Sequence, residues 1–336
     1  MIAATEADRG GSSPARKIIV VGAGVSGLSC AVLLLERGHR VEVWTRDLPS
    51  RTTSSVSAAF WYPYLVRPEE ACLRWGGATL LRFAELLDVP AAGIRMRRAR
   101  SYYDHPVADP DWIGQVPTTR RARADELPAG YRDGFVFDIP VIEMPIYLRY
   151  LADRVEALGG TIATRDLRTL DEALDAGDAV VNCAGLGARE LVRDREMFAV
   201  RGQVVRVSRA GMDDVIFDSY GPGGPTYIVP RGEDCILGGT AEEGREDLEP
   251  DPATTADILV RCVRFDPRVR AAERLGEMVG LRPCRSAVRL EADHSPSGTL
   301  IVHNYGHGGA GVTLSWGCAA DVAGLIASGG KGALPA

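Results

Sequence analysis

The stretch Ile18-Ile19-Val20-Val21-Gly22-Ala23-Gly24-Val25-Ser26-Gly27 decides how the chain begins to fold. Its β-branched run predicts a buried strand, and the apolar stretch that follows predicts a helix. Between them, Gly22 permits a tight turn, Gly24 lets the backbone approach a pyrophosphate, and Gly27 lets the helix lie close to the strand. A strand, a glycine turn and a helix in this order predict a dinucleotide-binding site at the helix N-terminus.

A second strand, Val41-Glu42-Val43-Trp44, completes the opening unit, but its end departs from the usual pattern. An acidic residue usually stands there to bind the adenosine ribose, whereas this chain continues Thr45-Arg46-Asp47. Either Asp47 reaches the ribose from one position later, or Thr45 and Arg46 make a different contact. The hydroxyl-rich stretch Arg51-Thr52-Thr53-Ser54-Ser55 then replaces regular alternation of strands and helices. This stretch favours FAD over a nicotinamide cofactor, and the alternative is a turn-forming surface loop.

The rest of the chain changes its periodicity once. Residues 68–87 and 145–158 predict amphipathic helices, and residues 179–182 predict a buried strand that meets the cofactor again through Ala184-Gly185-Leu186-Gly187. Residues 203–207, 226–229 and 235–237 alternate between apolar and polar side chains, which predicts a mostly antiparallel sheet. The side chains predicted to point inward from the two helices include Leu73, Leu80, Leu81, Ala84, Leu87, Ile146, Leu148, Leu151, Val155 and Leu158.

These patterns predict an α/β protein with a Rossmann-like FAD-binding domain and a substrate-binding domain built on the antiparallel sheet. Both domains are discontinuous. The FAD-binding domain takes residues 17–64, 143–200 and 275–328, the substrate-binding domain takes residues 65–142 and 201–274, and residues 1–16 and 329–336 are expected to be flexible tails.

Composition excludes several classes of protein. The 336 residues include 39 basic and 45 acidic side chains, and the net charge of −6 argues against nucleic acid as the main partner. The longest aliphatic run, residues 31–35, is too short for a membrane span. Seven scattered cysteines are expected to be reduced, the five histidines show no metal-ligand spacing, and a cytoplasmic location is the expectation.

Several motifs in the second half have a recognisable order. They are Gly280-Leu281-Arg282-Pro283-Cys284-Arg285 and the stretch from His303 through His307-Gly308-Gly309-Ala310-Gly311 to Gly317. Together with the opening glycine motif, Trp61-Tyr62-Pro63-Tyr64 and Val181-Asn182-Cys183-Ala184-Gly185, they closely resemble the D-amino-acid oxidases. The resemblance extends from Lys17 to about Ile326.

This resemblance implies an FAD enzyme that removes a hydride from the α-carbon of a D-amino acid. It implies that Arg282 grips the substrate carboxylate, that Tyr227 is an active-site tyrosine, and that the Gly309 carbonyl accepts from the substrate amine. Tyr62 is assigned to substrate binding as well. The chemistry agrees, because a guanidinium is shaped for two parallel bonds to a carboxylate and a phenol can add a donor. The alternatives are a structural ion pair for Arg282 and an ordinary strand residue for Tyr227.

The start of the last helix adds a second electrostatic element. Glycines after His307 let the backbone press against a flat ring, and a helix N-terminus stabilises negative charge on a reduced flavin. His307 itself is assigned a structural role, with catalysis as the alternative, because hydride transfer from a neutral amine needs no protein base. The residues assigned to FAD binding are Gly22, Ala23, Gly24, Val25, Ser26, Gly27, Arg46, Asp47, Thr52, Thr53, Ser54, Ala58, Ala59, Gly185, Gly308, Gly309, Gly311, Val312 and Thr313.

The chain also departs from the family pattern. The second active-site tyrosine would fall at about Gly223, with Tyr220 nearby, and the active-site histidine of the D-aspartate branch aligns with Tyr64. This branch carries an extra arginine after the Leu-Gly-Gly-Thr strand, whereas here Leu237-Gly238-Gly239-Thr240 is followed by Ala241-Glu242-Glu243.

Neutral D-amino acids are therefore expected, with basic ones added if either glutamate lies near the pocket. The alternatives are a glycine or sarcosine type of amine oxidase, a D-aspartate oxidase, and a flavin-binding protein without turnover. The expected partners are the small substrate and dioxygen, and a homodimer is one possibility.

Overall fold

The structure, a computed structural model, describes residues 14–63, 66–219, 221 and 224–331. Within these residues, fourteen strands form one continuous sheet, parallel in one half and mostly antiparallel in the other. The strands are β1 (Lys17–Val21), β2 (Arg40–Thr45), β3 (Ile94–Tyr103), β4 (Arg120–Arg121), β5 (Asp133–Ile142), β6 (Thr161–Thr164), β7 (Ala179–Asn182), β8 (Phe198–Ser208), β9 (Val215–Asp218), β10 (Thr226–Pro230), β11 (Asp234–Gly238), β12 (Glu242–Glu243), β13 (Arg274–His294) and β14 (Leu300–His307). The helices are α1 (Val25–Glu36), α2 (Glu69–Leu86), α3 (Met144–Ala157), α4 (Asp171–Leu174), α5 (Ala188–Leu191), α6 (Pro252–Phe265) and α7 (Gly311–Ser328).

The parallel half is built around the first strand. β1 lies between β7 and β2, with β14 beside β7 and β6 beside β2, and all four pairings are parallel. Because helices and loops cover this sheet, the central strands are buried and are rich in β-branched side chains. The carboxyl ends of all five strands therefore meet at one edge.

The antiparallel half continues the same sheet. β13 pairs with β14 on one side and with β8 on the other, and β11, β10 and β9 follow in antiparallel order. Beyond β9 lie β3, β5 and β4, and β12 pairs with the start of β8. This arrangement confirms the predicted α/β class and the mostly antiparallel second sheet. The division of the chain into two discontinuous domains stays a prediction.

Helix α7 is the central helix of the parallel half. It packs against both α1 and α2, and a side chain at Gly317 would overlap the backbone of Trp75 in α2. In the described part of the chain, α7 is the one helix long and apolar enough to cross a membrane, and 67% of that segment is buried inside the protein. The core helix of a soluble protein meets the same criteria.

The predicted inward faces of two helices are partly wrong. Leu81 is 71% exposed, Ile146 is 39% exposed, and Ala84 is also exposed. On α2, the helix turns a different face to the core because Gly317 lets α7 approach it closely on that side. The buried residues of α2 are Cys72, Trp75, Gly76, Thr79, Phe83 and Leu86. The seven cysteines are free, and all except Cys284 are buried.

Candidate active site

A cavity of about 1770 Å³ lies where the two halves of the sheet meet. Its walls are the carboxyl ends of the parallel strands, one face of the antiparallel sheet and the start of α7. Pockets for a drug-sized ligand usually measure about 300–1,000 Å³, so this cavity is large enough for a dinucleotide and a small substrate together. Among the residues predicted from sequence, those lining it are Gly22, Ala23, Gly24, Val25, Ser26, Arg46, Asp47, Thr52, Thr53, Ser54, Ala58, Ala59, Tyr62, Gly185, Tyr227, Arg282, Gly308, Gly309, Gly311, Val312 and Thr313.

The glycine turn between β1 and α1 has the geometry of an anion site. Gly22 has a φ of 110°, and a side chain on it would overlap the carbonyl of Cys183. Among the described residues, the amides of Ala23 and Gly24 have no hydrogen-bond partner, the N-cap residue Gly24 has no side chain to cap α1, and the Val25 amide donates to Ser54 Oγ at 3.1 Å. Free amides at a helix N-terminus are the donors that a pyrophosphate needs, so the turn fits FAD.

Gly27 is the one predicted cofactor residue that the structure does not place in the cavity. It is buried in the first turn of α1, and a side chain there would overlap the carbonyl oxygen of Gly22. It lets α1 lie against the turn, as its place in the motif indicates, and its assignment to FAD binding stays a prediction.

The end of β2 leaves both readings of the adenosine contact open. Arg46 donates from Nε to Asp47 Oδ2 at 2.8 Å, Thr45 Oγ1 donates to the Asp47 carbonyl at 2.7 Å, and both Arg46 and Asp47 line the cavity. Sequence reasoning missed a neighbouring wall, residues 165–168, which also lines the cavity. The guanidinium of Arg165 lies over the Trp44 ring at 3.9 Å. The pairing of β6 with β2 brings residues 165–168 to the cavity. Only the knowledge that β6 is the edge strand of the sheet beside β2 could have predicted this wall.

The start of α7 forms the opposite wall. Gly308, with a φ of 54°, and Gly309 precede the helix, whose N-terminus has no side-chain cap. Thr313 Oγ1 accepts from the Tyr62 amide at 3.1 Å and donates to the Tyr62 carbonyl at 3.0 Å, which joins the substrate-side loop to the helix. The positive end of the helix dipole faces the cavity and suits a flavin that becomes negatively charged.

Arg282 is held in place by a glycine and a carbonyl. Its guanidinium lies against Gly202 on the neighbouring strand β8, where a Cβ would stand 2.6 Å from Nη1. Nη1 donates to the Thr240 carbonyl at 2.9 Å. No carboxylate in the described residues lies within 4.0 Å of Arg282, although 36 such ion pairs occur among them. The structural ion pair considered from sequence is therefore absent there, and the guanidinium faces the cavity.

Tyr227 reaches the same place from β10. A Cβ on Gly239 would stand 2.6 Å from the Tyr227 hydroxyl, and one on Gly238 would overlap the ring. The phenol therefore lies over residues 238–239, directly before the carbonyl of Thr240 that holds Arg282. Glycines at 238 and 202 make room for both side chains, so the structure brings together two donors that lie 55 positions apart in the chain.

An aromatic wall, formed by Tyr62, Trp112 and Phe217, lies beside Tyr227. The Tyr62 ring stands 4.8 Å from Phe217 and 5.7 Å from Trp112, in edge-to-face contacts. Phe217 is the cross-strand neighbour of Tyr227 on β9. Sequence reasoning missed Trp112 and Phe217, because Trp112 stands in an irregular segment and nothing local shows which face of β9 is buried.

His307 is buried and lies at the edge of the cavity. Its Nε2 is 3.0 Å from Asn304 Oδ1, and Asn304 Nδ2 donates to Ser26 Oγ at 3.0 Å. Burial lowers the pKa of His307 to about 4, so the ring is neutral near pH 7. These contacts support the structural role predicted for it, since they link the α7 loop to the first turn of α1.

Three positions that the sequence analysis singled out, Tyr64, Tyr220 and Gly223, lie outside the described residues. Within those residues, no group of three His, Cys, Asp or Glu side chains could hold a metal ion.

A glycine turn at the carboxyl edge of a parallel sheet and an arginine with no acidic partner among the described residues line one cavity, which is the arrangement of a dinucleotide-binding protein with a cation available for a carboxylate. Residues 17–325 match the family described as FAD dependent oxidoreductase. The chain is 50% identical over 310 residues to a D-amino-acid oxidase of Rubrobacter xylanophilus, covering 92% of this chain and 95% of that protein.

It is also 43% identical over 312 residues to a D-amino-acid oxidase of Streptomyces coelicolor, covering 92% and 96%. The fold resembles that of glycine oxidase from Geobacillus kaustophilus, with a TM-score of 0.77, 17% identity, and coverage of 96% and 97%. The chain therefore belongs to the FAD-dependent oxidoreductase family, it is an enzyme, and its cofactor is FAD.

Proposed function

We propose that this enzyme oxidises neutral or basic D-amino acids. A hydride leaves the α-carbon, the amine becomes an imine, and water converts the imine to a 2-oxo acid and ammonia. FAD, when bound, supplies the hydride acceptor and passes the two electrons to dioxygen, which becomes hydrogen peroxide. The observation that carries the proposal is that Tyr227, over Gly238 and Gly239, and Arg282, bonded to the Thr240 carbonyl, line one cavity, and the similarity to D-amino-acid oxidases supports it.

The chain's own groups have distinct parts in this proposal. Arg282 binds the substrate carboxylate, and the Tyr227 hydroxyl donates to the same group. The Gly309 carbonyl accepts from the neutral amine, which fixes the direction of the α-carbon hydrogen. Positioning of this kind accounts for a large share of the rate in reactions that need no protein base. Burial lowers the pKa of His307 to about 4, which makes the ring a weak base, and its Nε2 is bonded to Asn304, so this proposal gives His307 no part as a base.

The side-chain pocket favours substrates without an acidic side chain. The aromatic wall of Tyr62, Trp112 and Phe217 offers apolar surface to a neutral side chain. Ala241 lines the cavity at the position where an arginine would suit a second carboxylate. This argues against the D-aspartate alternative. The cytoplasmic location and the homodimer stay predictions.

The proposal is tested on the purified holoenzyme by anaerobic addition of single substrates, with the visible flavin spectrum as the readout. D-alanine is expected to bleach the oxidised spectrum, and L-alanine is expected to leave it unchanged. Bleaching by sarcosine or glycine but not by D-alanine would contradict the proposal and favour the amine-oxidase alternative. Bleaching by D-aspartate alone would favour the D-aspartate branch.

A further inference from the structure

The segment after β11 places an acidic side chain on the same face of the sheet as Arg282. On β8, Val200 pairs with Glu243 of β12 on one side and with Arg282 of β13 on the other. Residues directly opposite each other on neighbouring strands project to the same face. Glu243, Val200 and Arg282 accordingly all line the cavity.

Both charges act on one thiol, that of Cys284, two residues after Arg282 on β13. Burial raises the pKa of Cys284, the positive charge of Arg282 lowers it, and the negative charge of Glu243 raises it. Cys284 also lines the cavity and pairs with Phe198 at the next inward-facing position of β8. The carboxylate of Glu243 therefore contributes to the field in the cavity, at its solvent-exposed rim.

Glu243 has no cationic partner among the described residues, in contrast to Glu242 and Glu246. Glu242 projects to the other face and pairs with the buried Arg201 at 2.6 Å and with Arg245 at 3.0 Å. Glu246 is paired with Arg189 at 2.7 Å. The sequence pair Glu242-Glu243 thus divides into one structural carboxylate and one carboxylate that faces the cavity unneutralised.

Strand spacing sets the separation of Arg282 and Glu243. The Arg282 guanidinium bonds to the carbonyl of Thr240, and the next cavity-lining position along the chain is the small Ala241. Arg282 and Glu243 each lie one strand away from Val200, so their Cα atoms are about 10 Å apart on the same face of the sheet. The long side chain of a lysine or arginine substrate, with its carboxylate at Arg282, can extend along this face towards Glu243.

We propose that Glu243 binds the cationic end of basic D-amino acid substrates and selects them over neutral substrates of the same length. This inference rests on the proposed function, since it takes the substrate carboxylate to be at Arg282. Because Glu243 is exposed, its attraction for a cation is that of a surface ion pair, about 1 kcal/mol, which corresponds to about fivefold in kcat/KM. The effect is expected to weaken as salt is added.

The test compares D-lysine with D-norleucine, which has the same carbon chain without the ammonium group. In Glu243→Gln holoenzyme, the ratio of kcat/KM for D-lysine to that for D-norleucine is expected to fall about fivefold. In Glu243→Lys, the ratio is expected to fall further, because attraction becomes repulsion. Glu156→Gln, which removes an exposed carboxylate on α3 far from the cavity, is the matched control and should leave the ratio unchanged. Bound FAD and the melting temperature of each variant show that it is folded.

An unchanged ratio in both Glu243 variants, with D-norleucine still oxidised, would overturn the assignment of Glu243 and leave the proposed function in place. Failure of the parent enzyme to oxidise D-norleucine, D-alanine and D-lysine would instead overturn the proposed function, and the role of Glu243 with it. In the parent enzyme, 0.5 M salt is expected to lower the ratio towards that of Glu243→Gln, because the Debye length is then about 4 Å. Such a fall would support an electrostatic origin of the preference.

Discussion

Arg282 occupies its position because Gly202 beneath it has no side chain. A Cβ at position 202 would meet only the mobile end of Arg282, so the fold can accept Gly202→Ala while the guanidinium must shift. We expect this variant to bind FAD normally and to show a KM for D-alanine raised about tenfold, the cost of one weakened charge-assisted hydrogen bond. Steady-state kinetics check this. Gly114→Ala, where nothing lies within 4 Å of the added methyl, is the control, and an equal rise there would refute the explanation.

The shape of the Arg282 side chain matters as well as its charge. A guanidinium can bind Thr240 and a carboxylate at the same time, whereas an ammonium lacks the planar fork. Arg282→Lys is therefore expected to lower kcat/KM about 100-fold with FAD content unchanged. Arg264→Lys, at an exposed position on α6, is the matched control. A loss of less than twofold in Arg282→Lys would show that charge alone suffices.

Two buried histidines make stability depend on pH. Burial lowers the pKa of His303 and of His307 from 6.5 to about 4 in the folded protein. The unfolded chain therefore takes up protons that the folded chain does not, and stability falls as the pH drops from about 6.5 towards 4. At about pH 5, each histidine is expected to have removed about 2 kcal/mol from the free energy of unfolding.

Urea unfolding at about pH 7 and about pH 5 measures this loss. His303→Gln is expected to reduce the difference between the two pH values, and His105→Gln, at an exposed position, should not. Equal pH dependence in all three proteins would contradict the assignment.

At the scale of elements, the contact between the glycine turn and α1 rests on Gly27. An added methyl group would overlap the Gly22 carbonyl, which is backbone and cannot move aside. Gly27→Ala is expected to destabilise the protein by about 3 kcal/mol and to weaken FAD binding, since the turn must shift. Thermal unfolding and FAD titration of the apoprotein check both effects. Gly324→Ala in α7, with no atom within 4 Å, should be neutral or stabilising.

Helix α2 shows why an apolar pattern can mislead. Its sequence contains two overlapping apolar stripes, and the predicted one includes Leu81, which is 71% exposed. The stripe that is buried contains Trp75, whose Nε1 donates to Asp321 of α7 at 2.6 Å. The close approach at Gly317, more than 200 positions away, selects this stripe. Periodicity therefore located the helix, but its partner determined the buried face.

At the scale of the whole molecule, the sheet is continuous from β4 to β6. β13 of the antiparallel half pairs with β14 of the parallel half, and the cavity takes residues from both halves. We expect urea unfolding of the holoenzyme to be one transition, with flavin fluorescence and far-ultraviolet circular dichroism giving the same midpoint. Two separated midpoints would show that the halves unfold independently, as the predicted discontinuous domains would allow.

The candidate site was predictable in part. Cofactor residues were predictable because they belong to local motifs, in which a strand, a glycine turn and a helix start follow one another within ten residues. Trp112, Phe217 and residues 165–168 were missed because they reach the cavity only through strand pairing over long sequence distances.

By itself, the sequence determined the βα unit, the FAD turn and the presence of an arginine and a tyrosine suited to a carboxylate. These features depend on short-range backbone preferences and on side-chain chemistry, which do not need a register. Only the tertiary structure decided that Tyr227 and Arg282 line one cavity on either side of residues 238–240, and that Glu243 faces the cavity while Glu242 binds Arg201. The reason is that a shift of one residue in strand pairing moves every side chain to the opposite face.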